Sequence, residues 1–153
     1  VQEQNVVPRR IVVGVDGSPS SVDALRWAVG QAHAVGADVE AVTAWQHLSA
    51  PGWSGHPDDA DFAAGIARKT LDAAVAEAAG PGRPVRIAAR VVRGGAVASL
   101  LAAARGAELL VVGGRGHGGF AGALLGSVGQ HCVQHAPCPV VVVRHDAARA
   151  SAR

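Results

Sequence analysis

Five short apolar runs alternate along the chain with stretches that are apolar only at helical spacing. Ile11-Val-Val-Gly-Val15 is continuous, as expected of a strand covered on both faces. It runs into Asp16-Gly-Ser-Pro19, where Ser18 and Pro19 read as N-cap and first helical position. Ala24, Leu25, Ala28, Val29 and Ala32 then recur at helical spacing up to Gly36, a helix stop. A second strand is predicted over 39–45, followed by a long exposed loop over 47–61, rich in Pro, Gly, Ser and Asp. The alanine-rich pattern over 60–79 predicts a helix stopped by Gly80-Pro-Gly82.

The third strand is predicted over 85–92. Arg83, Arg86, Arg90 and Arg93 around it read as the charges of a protected edge strand rather than a basic binding stripe. Gly94-Gly95 opens a helix over 97–104, and a fourth strand over 108–112 leads into a glycine-dense loop. A helix from Ser127 to about His135 stops before Pro137, and a fifth strand covers 139–144. This β/α alternation predicts an α/β fold, a doubly wound parallel sheet in one domain without internal repeats. The segments 1–8 and 146–153 are expected to be flexible tails around a domain over 9–145.

The loop after the fourth strand concentrates the candidate chemistry. Gly113-x-x-Gly116 is followed by nine residues and then Gly126-Ser127. Glycines permit positive φ and close approach of backbone to a ligand. The first amides of the following helix lack intrahelical acceptors and point at any anion there. Ser127 is expected to cap that helix or donate its hydroxyl to a phosphate oxygen.

Sharper motifs fail on context. Gly114-x-Gly116-x-x-Gly119 has the dinucleotide spacing but follows the fourth strand, without an acidic residue placed for ribose. No Gly-Lys-Ser/Thr of a P-loop occurs, and Gly52-Trp-Ser54-Gly-His56 lacks the last glycine and preceding strand of a nucleophile elbow. His131 and His135 stand at a metal-capable spacing without an acidic partner, so a surface or helix-terminus role is favoured.

Composition narrows the class further. The chain of 153 residues is 49% hydrophobic and 17% charged, which excludes a disordered protein. Aromatics make up 3%, so Val, Ala and Leu must build the core. A net charge of +2 without a dense Lys/Arg cluster suggests neither nucleic acid nor membrane targeting. The first ten residues lack the apolar segment of a signal peptide, no apolar run approaches transmembrane length, and the missing initiator Met reads as processing or trimming. Cys132 and Cys138 read as packing residues, and a reducing cytoplasmic location is expected.

Four stretches together resemble the universal stress protein family. They are Ile11-Val-Val-Gly-Val-Asp-Gly-Ser18, Leu109-Leu-Val-Val-Gly-Gly-Arg-Gly-His-Gly118, Leu124-Leu-Gly-Ser-Val128 and His135-Ala-Pro-Cys-Pro-Val-Val-Val-Val143. The resemblance spans about 9–145, and its glycine spacing is that of the ATP-binding branch. It implies a Rossmann-like (HUP-type) five-stranded parallel sheet in the order 3-2-1-4-5, with helices on both faces. A ligand would then bind between strands one and four, where the order reverses. By similarity Asp16 would hold ribose or help hold a metal, while Val15 and Ala44 would flank adenine. Gly113, Gly116, Gly126 and Ser127 would bind phosphates, Val128 would add a backbone amide, and Arg115 and His117 positive charge. ATP is the implied ligand, with Mg²⁺ carried on its phosphates rather than on side chains. Gly114 departs from the family's usual serine.

The resemblance further implies pairing of the fifth strand, opened by Pro139 and closed by Arg144, with its copy in a homodimer. A nucleotide-responsive regulatory role in stress is expected. Binding is favoured over catalysis, because no positioned general base or arginine finger is evident. A slow ATPase, a cyclic-nucleotide binder and a nucleotide-free interaction module are the alternatives.

Overall fold

A computed structural model describes residues 7–46, 57–80, 82, 84–115 and 125–145. Among the described residues nine elements follow one another: β1 (Arg10–Gly14), α1 (Pro19–Val35), β2 (Asp38–Trp45), α2 (Pro57–Ala78), β3 (Ile87–Arg93), α3 (Ala96–Ala103), β4 (Leu109–Gly113), α4 (Ser127–His135) and β5 (Val140–Val143). The strands form one parallel sheet in the order β3-β2-β1-β4-β5, as expected.

Alternation of side chains along each strand splits the core in two. Ile11, Val13, Val39, Ala41 and Val111 face Leu25 and Val29 of α1 and Leu71 and Ala74 of α2. Val12, Val42, Leu110 and Val112 face Leu100 of α3, Ala104 at its C-cap and Cys132 of α4. The central strands are therefore apolar on both sides, which is why they read as continuous runs.

Helix α1 carries both of its predicted end signals. Ser18 is its N-cap, accepting from the Ser21 amide at 3.3 Å, and Pro19 opens it. Gly36 closes it in the left-handed region at φ 71°. Helix α2 begins at Pro57, so the loop expected over 47–61 ends earlier than its composition suggested. Proline's fixed φ suits a first helical turn, and the polar composition concealed a helix start. The third strand lies two residues later in the chain than expected at its start, at Ile87, and α3 starts at Ala96.

Strand β3 is an edge, and its arginines are engaged. Arg90 pairs with Glu40, and the Arg93 guanidinium lies 5.6 Å from the centre of the Trp45 ring. Glu40, 7% exposed on a central strand, also receives Arg10 at 2.8 Å. Arg10 continues to the carbonyls of Ala103 at 2.7 Å and Arg105 at 2.6 Å, covering the end of α3. Burial pushes the Glu40 carboxyl up, but hydrogen bonds from Arg10 and Arg90 outweigh it and hold it below the usual range.

Candidate functional site

Strands β1 and β4 are parallel neighbours whose chains leave the sheet in opposite directions, β1 towards β2 and β4 towards β5. At their carboxyl ends a cleft opens. That is the place of a small-molecule site in a doubly wound sheet.

From β1 and its turn come Gly14, Val15, Asp16, Ser18 and Ser21. The Asp16 carboxylate accepts the Ser18 amide at 2.8 Å, forming a tight turn that leads into α1. The Asp16 amide donates to Ser21 Oγ at 3.3 Å, and Ser21 Oγ donates to the Ser18 carbonyl at 2.9 Å. Val15 is fixed on both backbone groups: its amide donates to the Val42 carbonyl at 2.9 Å, and its carbonyl accepts Thr43 Oγ1 at 2.8 Å. The cleft's apolar wall is completed by Val42 and Ala44 of β2, Ala96 and Leu100 of α3, and Val112 of β4.

The opposite wall is the start and finish of the glycine loop. Gly113 and Arg115 lead out of β4, and Gly126, Ser127, Val128 and Gly129 lead into α4. The Gly126 amide donates to the Gly114 carbonyl at 2.7 Å, so the loop is stitched at its base. Gly114 in turn donates to the Val143 carbonyl at 2.8 Å, tying the loop to β5.

Two expectations about this loop are corrected. Ser127 is not the N-cap of α4: Gly126 holds that position, extended at φ −69° and ψ 164°, and Ser127 is the first helical residue. With glycine as cap, the capping residue offers no side-chain hydrogen bond to the start of α4, whose first residues line the cleft. Nor does positive φ explain Gly113 and Gly126, since neither adopts it. Gly113 is needed for close approach instead. A Cβ there would fall 2.5 Å from Ser20 Oγ and 2.7 Å from the Ser20 carbonyl carbon.

The structure thus brings together Val15, Asp16, Ala44, Gly113 and Arg115 with Gly126, Ser127 and Val128 around one cleft. Gly116 and His117 lie outside the described residues. The residues that pattern reasoning passed over are mainly apolar: Gly14, Val42, Ala96 and Leu100. Gly14 carried a signal, since a glycine inside an apolar strand marks a close approach; a Cβ there would meet Leu100 Cδ1 at 2.8 Å. Val42 follows from Ala44 by strand alternation.

Other candidates lie elsewhere. His131 and His135 are exposed, and His131 Nδ1 lies 2.8 Å from the Ser127 carbonyl within its own helix. Among the described residues no three His, Cys, Asp or Glu gather as a metal site. Cys132 is fully buried and Cys138 half-buried, and burial pushes both thiols up, consistent with packing roles. No described helix is long and apolar enough to cross a membrane.

A doubly wound parallel sheet with a glycine-walled cleft at its switch point is the arrangement of open α/β folds, whose ligand sites lie at strand carboxyl ends. The universal stress protein family model matches residues 8–144, and the chain belongs to that family. Universal stress protein Rv2624c of Mycobacterium tuberculosis is 34% identical over 138 residues, covering 89% of this chain and 48% of that protein. The chain spans about half the length of the curated relatives it matches. A solved universal stress protein in complex with cAMP is 32% identical, with a TM-score of 0.66 over 88% of this chain and 96% of that one. UspA from Lactobacillus plantarum has the same fold: TM-score 0.74, 23% identity, and coverage of 92% of this chain and 100% of that one.

Proposed function

We propose that this chain binds ATP in the cleft between β1 and β4 and acts as a nucleotide-responsive regulatory module. The observation that carries the reading is the meeting of Asp16, from the turn after β1, with Gly113, Gly126 and Ser127, from the loop after β4. A carboxylate and a glycine-capped helix start stand on opposite sides of one apolar slot. Adenine fits against Val15, Ala44 and the neighbouring Val42, ribose at Asp16, and phosphates at Gly113, Arg115, Gly126, Ser127 and the Val128 amide. Gly116 and His117 extend the phosphate side in this proposal. Mg²⁺ enters on the nucleotide, its shell filled by phosphate oxygens and water.

Binding is proposed over turnover. Phosphoryl transfer requires a placed base and a charge-stabilising group, and the carboxylate lining the described cleft, Asp16, already accepts the Ser18 amide. A second reading, a cyclic nucleotide in the same cleft, draws support from the relative solved with cAMP. Titration calorimetry with Mg-ATP, repeated in the presence of excess cAMP, separates the two. Saturable ATP binding unaffected by cAMP supports the first reading, and preferential cAMP binding supports the second.

We further propose a cytoplasmic homodimer. Strand β5 is an edge of four half-buried valines, Val140 to Val143. An unpaired edge of this kind templates aggregation unless covered, and a second copy pairing along it supplies cover.

A further inference from the structure

The two sides of the cleft belong to segments almost a hundred residues apart, yet one buried hydroxyl joins them. Ser20, 3% exposed in the first turn of α1, uses its Oγ on both backbone groups of Arg115. It accepts the Arg115 amide at 3.3 Å and donates to the Arg115 carbonyl. Ser18 Oγ reaches the same carbonyl at 3.4 Å. Two residues earlier, Gly113 lies so close to Ser20 that no Cβ fits between them. The departure of the glycine loop from β4 is therefore held on α1, the helix that begins at the Asp16 turn.

We propose that Ser20 is a positioning residue: a latch that sets the phosphate wall of the cleft relative to the Asp16 wall. Ser20 does not line the cleft, whereas Gly113 and Arg115 on one side and Ser18 and Ser21 on the other do. A hydroxyl that binds both N–H and C=O of one residue fixes the direction of that peptide as well as its distance. Without it the loop root keeps its attachment to β5 through Gly114 and the longer Ser18 contact, but loses both Ser20 bonds. The adenine side, fixed by the Val15–Val42 and Thr43–Val15 bonds, is untouched by that loss.

This inference rests on the nucleotide reading, and its consequence is selective. Replacing Ser20 with Ala weakens a ligand in proportion to its phosphates. Loss of two ordinary hydrogen bonds of positioning corresponds to about a tenfold weaker affinity. The experiment compares the full wild-type chain with Ser20→Ala by calorimetry against Mg-ATP and against adenosine. It also follows hydrogen exchange of the Arg115 amide by NMR in both proteins without ligand.

The expected result is about tenfold weaker ATP binding, adenosine affinity within twofold of wild type, and an Arg115 amide that exchanges faster in the variant. An equal loss for ATP and adenosine would overturn the proposal, because it would mark a general disturbance of the cleft. Unchanged ATP affinity would overturn it as well. If the wild-type chain binds no nucleotide, the functional reading fails separately. The exchange measurement then decides the latch alone, since unchanged Arg115 protection in the variant contradicts it. Ser20→Cys, close in volume and poor in hydrogen bonding, supplies the same test should Ser20→Ala not fold.

Discussion

The contact between Gly113 and α1 sets up a stability experiment with a clear ordering. In Gly113→Ala the new Cβ lies 2.5 Å from Ser20 Oγ, 2.7 Å from the Ser20 carbonyl carbon and 2.9 Å from its oxygen. Carbon atoms in contact sit at about 3.5–4.0 Å, so α1 must retreat by roughly 0.8 Å or more. It cannot do so freely, because Leu25, Ala28 and Val29 of α1 are locked into the core beneath it. Overpacking of this kind costs about 1–3 kcal/mol, and backbone rather than a flexible tip as the obstacle places it at the upper end. For a chain of this size that corresponds to a fall of roughly 4–12 °C in Tm.

Gly14→Ala is the matched comparison. Its Cβ meets Leu100 Cδ1 at 2.8 Å and Cδ2 at 3.3 Å, the far end of a leucine that can rotate away. A gain of about 0.4–1 kcal/mol from restricting the unfolded chain offsets part of that cost, so the variant stays near wild type. Thermal and urea unfolding of the three proteins measure the difference. A Gly113→Ala protein as stable as wild type, or less damaged than Gly14→Ala, would refute the claim that α1 presses on β4 here.

Three further outcomes follow from particular contacts. Glu40→Gln removes the charge that Arg10 and Arg90 share and should cost about 1.5–3 kcal/mol by urea unfolding. Because its carboxyl is held low, Glu40 stabilises the fold above the ordinary carboxylate range, and this contribution is lost as pH falls through its folded value. Acid titration of stability should therefore be shallower in the variant than in wild type. Gly126→Ala and Gly116→Ala should weaken nucleotide binding with little loss of Tm, and normal ATP affinity in either would remove that residue from the phosphate wall. Val141→Lys should convert the proposed dimer to monomer in sedimentation velocity, while a dimer that persists would move the interface away from β5.

The architecture was legible because the sheet is buried on both faces. Ile11, Val12 and Val13 are all fully covered, so periodicity vanished into continuous runs that could only be inner strands. The ends of α1 were equally readable, since Ser18, Pro19 and Gly36 each have a backbone reason to stand there. The start of α2 was not, because Pro57 sits at the end of a polar stretch whose composition is that of a loop. At the cleft, the residues with chemical character announced themselves: Asp16 after an apolar run, and glycines at fixed spacing before Ser127. What stayed hidden depended on distance. That Gly113 serves proximity to Ser20 rather than positive φ, that Gly126 rather than Ser127 caps α4, and that Ser20 holds Arg115 are three-dimensional facts with no one-dimensional signature.

The central claim is that the cleft between β1 and β4 holds ATP. The most direct test is to purify the full chain, denature it, and identify any released nucleotide by chromatography, with Mg-ATP calorimetry on protein stripped of ligand. The expected result is ATP released intact, or saturable binding of Mg-ATP at one site per chain that Gly126→Ala weakens. Protein that releases nothing and gives no heat with Mg-ATP at several temperatures would contradict it.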